Sequence, residues 1–329
     1  MKFENEKGNR FFKSGDLRHR KRRCMKNVCL VILLFSIQFG IKAQERIINN
    51  HFFLNPYIYN PAFVGKEGRA NVSLNHRQQW RGIDGAPITS IVSFDVPFNN
   101  NLNTGIKIIN DQKSILNSTT VFLTLGYTAS FSRDKKHALS FGISGGALKH
   151  SIDTDESLDF SDPEVIALFN NTTQFLSEFG INYRYHDLNI GFSLPTLMNP
   201  SYSSKAFSFS PLNELLFMGS YAFHFPGNKI ALEPYLLYRI KENLPAQFEA
   251  TAIMRFNEVF WLGGVYRQDY GASALVGLHA GENVKIGYAY EFAAAQVNSY
   301  LGGSHEIQLS LALGDKEKKV KRMNPRFRH

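Results

Sequence analysis

The stretch Gly142-Ile143-Ser144-Gly145-Gly146 has the G-x-S-x-G spacing of a hydrolase nucleophile elbow. In that elbow the serine stands on a sharp turn between a strand and a helix. Here Ser144 falls inside an alternating run from Ala138 to Gly145, so the small residues more naturally let another segment pack closely against a strand. Asp153, Asp155, Glu156, Asp159, Asp162 and Glu164 crowd a second stretch, but without the glycine and terminal glutamate of an EF-hand loop. We read them as an exposed acidic loop, with weak Ca²⁺ binding as the rival. The histidines are scattered, with no HExxH and no pair at ligand spacing. Both cysteines, Cys24 and Cys29, lie near the N-terminus, which leaves no thiol for chemistry or zinc farther on. No nucleotide loop is present. The expectation is a protein without catalytic residues, cofactor or metal.

Two clusters remain. The first is Asn60, Pro61, Ala62 and Gly65, where a pair of Asn-Pro breaks (Asn55-Pro56 and Asn60-Pro61) and Gly65 and Gly68 suit a compact, irregular segment. The second is Arg77, Trp80, Gly82, Asp84, Gly85 and Pro87, around a predicted turn over 81–87. One reading is structural: Asp84-Gly85 sets a hairpin, Trp80 sits at a membrane interface and Arg77 pairs with a carboxylate inside. The other is that the turn grips a binding partner.

The elements that carry these residues have period two. Val121, Leu123, Leu125, Tyr127, Ala129 and Phe131 share one face, and Phe122, Thr124, Gly126, Thr128 and Ser130 share the other. The same pattern recurs over 138–145, 179–185, 284–292 and 306–313. One face is aliphatic or aromatic, and the other is Gly, Ser, Thr, Asn or charged. The runs are longer than soluble strands, which average about 5–6 residues, and suit tilted membrane strands of about 9–11. Tyr and Phe fall at run ends (Phe131, Tyr185, Tyr238, Tyr266, Phe292), as in an aromatic girdle. Fourteen runs are expected, near 70–80, 88–97, 103–110, 119–131, 138–149, 176–185, 188–194, 215–225, 230–240, 246–256, 259–267, 272–280, 283–293 and 304–313. Long connections at 150–175, 195–214 and 294–303 all follow odd-numbered runs. The expected fold is all-β: an antiparallel transmembrane barrel of about 14 strands over residues 69–313, with short periplasmic turns and longer outer loops. An even strand number closes the sheet and removes its edges.

The net charge of +9 is concentrated at the ends. Residues 1–26 carry +7 and residues 315–329 carry +5, which leaves −3 for the rest. A nucleic-acid footprint needs a basic folded face, so no nucleic-acid partner is expected. Residues 1–43 read as a secretory signal peptide: basic residues, an apolar run from Val28 to Ile41, and Ala43 before Gln44. An uncleaved anchor is the alternative. Met25 is itself a plausible start, which would make residues 1–24 an upstream extension. Residues 314–329 form a basic tail in the periplasm, either solvated or docked to an acidic partner.

With these residues in view, the sequence resembles the PorP/SprF family of outer-membrane proteins of the type IX secretion and gliding apparatus of Bacteroidetes. The resemblance rests on Asn60-Pro61-Ala62-Phe63-Val64-Gly65, on His76 to Trp80 with Gly82 to Pro87, on Gly105-Ile106 through Asn110-Asp111, and on Gly191 to Pro195. It implies residence in outer-membrane lipid, association with type IX components, and delivery or anchoring of a large, adhesin-like surface protein through its C-terminal domain. A similar Asn-Pro-Ala entrance occurs in FadL-type channels. That likeness implies that residues 44–68 fold into the lumen as a plug, and it supplies an alternative function: a channel for hydrophobic or small solutes. In one respect the chain departs from typical outer-membrane barrels. It runs on past Leu313 in a basic tail, whereas those barrels end on an aromatic residue.

Overall fold

The computed structural model describes residues 49–99, 101–132, 136–152, 173–200, 207–209, 213–227, 229–242, 244–292 and 302–314. The signal peptide expected over 1–43, the acidic stretch 153–164 and the basic tail 315–329 lie outside the described residues. From Ala70 onward the described chain is almost wholly strand. The strands are β1 (Ala70–Gln78), β2 (Ile88–Pro97), β3 (Leu102–Lys113), β4 (Leu116–Ser130), β5 (His137–Ile152), β6 (Gln174–Tyr185), β7 (Leu188–Pro200), β8 (Phe207–Phe209), β9 (Glu214–Tyr221), β10 (Phe223–His224), β11 (Ile230–Lys241), β12 (Gln247–Phe256), β13 (Phe260–Arg267), β14 (Gly271–Ala280), β15 (Val284–Glu291) and β16 (Ser304–Leu313).

Every pairing is antiparallel, and the sheet closes where β1 pairs with β16, Leu74 opposite Leu309. Fourteen strands complete the ring. β10 prolongs β9 beyond Ala222 in the same register against β11, and β8 adds a short partner at the end of β7. The expected antiparallel barrel of 14 strands is therefore the observed fold.

Closure works because alternation and register agree. A residue and its partner across two strands face the same side, so one pattern holds around the ring. Leu74, Val92, Leu123, Leu125, Ile143, Leu262, Val276 and Leu309 all point outward and are exposed. Asn75, Ser93, Thr124, Ser144, Gln308 and Ser310 point inward and are buried. Such an exterior is stable only against lipid, which makes this a membrane barrel. Phe131 and Tyr185 are exposed at the short-turn rim, and Tyr266 and Phe292 at the opposite rim, giving two aromatic girdles.

The barrel is taller on one side. β4 has 15 residues and β5 has 16, whereas β13 and β15 have 8 each. Among the described residues, pairing of β5 with β6 stops at Leu148–Gln174, and Lys149–Ile152 pair with β4 alone. On the outer face of this extension the apolar pattern gives way to amides. Asn110 donates to Asn117 Oδ1 (2.7 Å) and to Thr119 Oγ1 (3.0 Å). The sequence reading ended β3 at Asn110 and started β4 at Thr119, because it stopped where the apolar face stops.

Candidate functional site

Residues 49–68 lie in the lumen, and Asn49 to Gly65 are buried throughout. Two short 3-10 turns, Pro56–Ile58 and Pro61–Phe63, give this plug its shape. Each begins with proline, whose fixed φ and missing N–H suit the first turn position. Asn60 caps the second turn by accepting from the Ala62 amide at 2.9 Å. Its amide also donates to the carbonyls of Ile181 (3.1 Å) and Phe192 (3.2 Å) on the wall. Gly65 holds φ at +70°, and its N–H donates to Asp95 Oδ2 at 2.9 Å. The Asn60–Gly65 motif is thus a set of bolts between plug and barrel.

The wall makes room with glycine. A Cβ on Gly142 would strike the Pro61 backbone, and one on Gly180 would strike the Asn60 side chain. Ser144 is mid-strand in β5 and shares a hydrogen bond with Thr124 (2.8 Å), which in turn accepts from the Tyr57 hydroxyl (2.6 Å). It is part of the plug's seat and stands on no strand-turn-helix corner.

Charge holds the plug at two places. Toward the long-loop rim, Glu306 on β16 is fully buried and accepts from the backbone N–H of Asn50 (3.0 and 2.9 Å) and His51 (3.1 Å). It also bonds His51 Nδ1 (2.8 Å), Asn75 Nδ2 (3.0 Å) and Arg77 Nη1 (3.3 Å). Arg77 donates its other nitrogen to Glu291 at 2.8 Å. Arg267 bonds the far side of Glu291 (3.0 Å), the Asn50 side chain (3.0 Å) and Glu249 (2.5 Å). Glu249, Arg267, Glu291, Arg77 and Glu306 therefore alternate in sign across the lumen, each in at least one ion pair, while Arg77 Nε and Glu249 Oε1 have no hydrogen-bond partner among the described residues. Across the barrel, the buried Lys107 ammonium bonds both oxygens of Glu178 and the Ile58 carbonyl, each at 3.0 Å. It also lies over the rings of Phe122 (4.9 Å) and Tyr57 (5.5 Å).

Between these anchors an aromatic layer fills the lumen. Phe52 meets Tyr235 edge-on at 5.7 Å, and Phe53 meets Trp261 at 5.1 Å. Burial in this layer pushes the Tyr57 hydroxyl pKa well up. At the short-turn rim, Glu67 pairs with Lys285 at 2.8 Å. Burial opposes the Glu67 charge, but Lys285 and Lys66 outweigh it and hold the carboxyl below the ordinary carboxylate range.

Arg77 thus belongs to the lumen. Trp80, Gly82, Asp84, Gly85 and Pro87 lie in the connection between β1 and β2 at the opposite rim from Glu67. The sequence reading carried the first strand through to Trp80, but β1 ends at Gln78. Trp80 takes φ of +45°, which breaks the extended backbone, and the Gln79 N–H closes the loop on the Pro87 carbonyl at 2.9 Å. Neighbours hold this loop on both sides: Arg81 N–H donates to the Gly303 carbonyl (3.3 Å), and Ser114 N–H to the Gly85 carbonyl (2.9 Å). Trp80, Ile83 and Asp84 are exposed at the top. Sequence reasoning missed Glu306, His51, Lys107, Glu178 and Arg267. For the four strand residues the one signal was a charged residue at an inward position of an alternating run, and His51, in the plug, had none.

Among the described residues no three His, Cys, Asp or Glu side chains converge as metal ligands would. Solved structures with a similar arrangement include the Acinetobacter baumannii outer membrane protein Omp33 (8% identity, 74% of this chain and 98% of that chain, TM-score 0.46). They also include the CymD monoaromatic hydrocarbon channel (10% identity, 84% and 96%, TM-score 0.44) and the Pseudomonas putida toluene transporter TodX (10% identity, 82% and 94%, TM-score 0.41). No curated protein matches the chain. The family model for the type IX secretion system membrane protein PorP/SprF matches residues 41–311, nearly the whole of the plugged barrel, and the chain belongs to that family.

Proposed function

We infer that this type IX secretion membrane protein is a docking platform in the outer membrane that delivers or anchors a secreted surface protein through the client's C-terminal domain. Family membership supplies the pathway. The observation that carries the docking step is the pairing of a filled lumen with a braced loop. The plug is bolted at two charge centres, while the 79–87 loop is tied to both neighbours and presents Trp80 outward. Fixed, exposed aromatic anchors make strong binding sites because little order is lost on contact. In this reading the short-turn rim faces the periplasm and the long-loop rim faces outward, as bacterial barrels are built.

The test is a strain that lacks the chain. A specific large surface protein is expected to be missing from the cell surface or shed into the medium. An unchanged surface proteome overturns the reading. The solute-channel alternative asks for a continuous path, whereas the larger described cavities lie near the short-turn rim and a small one, about 10 Å³, lies beside Arg239, Glu249 and Arg267 toward the long-loop rim.

A further inference from the structure

The outward faces of β1 to β5 carry two kinds of cross-strand row. Leu74, Val92, Ile108, Val121 and Ala147 are direct partners across the five strands, and all are apolar. Two residues nearer the long-loop rim, the partners are His76, Ser90, Asn110, Thr119 and Lys149, and none is apolar. Gln112, Asn117 and Ser151 follow in the row beyond. The change falls between adjacent rows, so it marks where lipid ends on this side of the barrel. The other side differs. On β11 to β14 the outward face stays apolar to its last positions at that rim, Ile240, Phe248, Tyr266 and Ala272. On β3, β4 and β5 the polar rows therefore stand above the apolar belt by about 10 Å of strand.

This wall faces sideways, into the headgroup layer of the surrounding lipid. His76, Lys149 and Ser151 are exposed on it, and Asn110, Gln112, Asn117 and Thr119 are half-buried. Hydrogen bonds hold its side chains in place: His76 Nδ1 bonds Ser90 Oγ (2.9 Å), and Asn110 donates to Asn117 and Thr119. Amides and hydroxyls both donate and accept, which matches the many hydroxyls of a saccharide. An occupant of the whole face needs acyl chains for the Leu74–Ala147 row and a hydroxyl-rich head for the rows above it. We propose that this wall binds a saccharide-headed lipid of the outer leaflet. Its acyl chains lie along the apolar row, its sugars on the amides of β3 and β4, and an acidic substituent of the head on Lys149. Side chains already held in place lose little order on contact, which favours such a site. The inference rests on the long-loop rim facing outward and not on client docking.

The test places the full chain in phosphatidylcholine nanodiscs with equal parts of lipooligosaccharide, monogalactosyldiacylglycerol and phosphatidylglycerol, and native mass spectrometry counts the lipids that the released barrel retains. The galactolipid supplies a sugar without charge, and phosphatidylglycerol supplies charge without a sugar. Both sugar lipids are expected to be enriched at least about fivefold over phosphatidylglycerol, the order of effect of one or two hydrogen bonds. Asn110→Ala with Asn117→Ala should remove that enrichment. Lys149→Gln should lower retention of lipooligosaccharide and leave the galactolipid unchanged. All three positions lie outside the plug and above the apolar belt, so the variants should keep the heat-shifted gel migration of an intact barrel. If the double alanine variant fails to fold, Asn110→Thr with Asn117→Thr removes the amides and keeps strand propensity. Equal retention of the three lipids, phosphatidylglycerol retained above the galactolipid, or an enrichment that survives loss of both amides overturns the proposal. A purified barrel suffices, so the result stands apart from whether deletion changes the cell surface.

Discussion

Glu306 is the residue on which the plug depends most. It accepts two backbone N–H groups of the plug and faces both Arg77 and His51 with no access to water. Replacing one member of a buried ionic network leaves the others uncompensated, at a cost of about 3–5 kcal/mol. Glu306→Gln should lower unfolding stability by that order, read as a shift of the urea midpoint in lipid, and an unshifted midpoint would mean the network is not holding the plug. Gly142 tests the seat itself. Gly142→Val puts a side chain into the Pro61 backbone, and a clash of that kind costs about 1–3 kcal/mol or displaces the plug. Gly145→Ala, three residues along with open space around it, should be silent. Limited proteolysis of the plug in both variants separates the two cases. Arg77 was legible in the sequence because an arginine at an inward strand position must find an acid. Its partner was not: Glu306 is 229 positions away, and only barrel closure brings them together.

The strands were legible because inside and outside alternate without a break over each one. Their ends were less so. A strand that rises past the lipid loses its apolar face before it loses its hydrogen bonds, and so β4 and β5 outlast the pattern that revealed them. Trp80 misled for another reason, since its left-handed φ of +45° is a property of the loop that the side chain does nothing to announce. That conformation sets up a separation of backbone from side chain. Glycine takes positive φ at no steric cost, whereas alanine does not. Trp80→Gly should therefore be more stable than Trp80→Ala by about 1 kcal/mol in thermal unfolding. If the exposed indole contacts the client, the two variants should lose client capture to the same degree in a pull-down despite that difference. Capture that tracks stability instead would assign Trp80 a purely structural role.

At the scale of the whole molecule the question is whether the barrel is a passage or a pedestal. Small eight-stranded barrels fill with side chains, and those of 16–18 strands leave a water channel. Fourteen strands enclose more room than inward side chains alone occupy, and here the plug takes up the difference. Its anchors sit on separate strands of the wall, Glu306 on β16 and the Lys107–Glu178 pair on β3 and β6, so fraying at one leaves the other engaged. The wall behind the plug is itself polar and hydrogen-bonded strand to strand, and the ring closes through β1 and β16 without help from residues 49–65. Deleting those residues should leave a barrel with normal heat-shifted migration and an open, water-lined lumen. In planar bilayers the intact chain should then show no steady single-channel steps, while the deletion shows discrete ones. Relaxing both anchors in place, with Glu306→Ala and Lys107→Ala together, should give intermittent openings between those extremes. Steady conductance by the intact chain would mean that ions pass the aromatic layer of Phe52, Phe53, Tyr235 and Trp261, and the pedestal reading would give way to the channel.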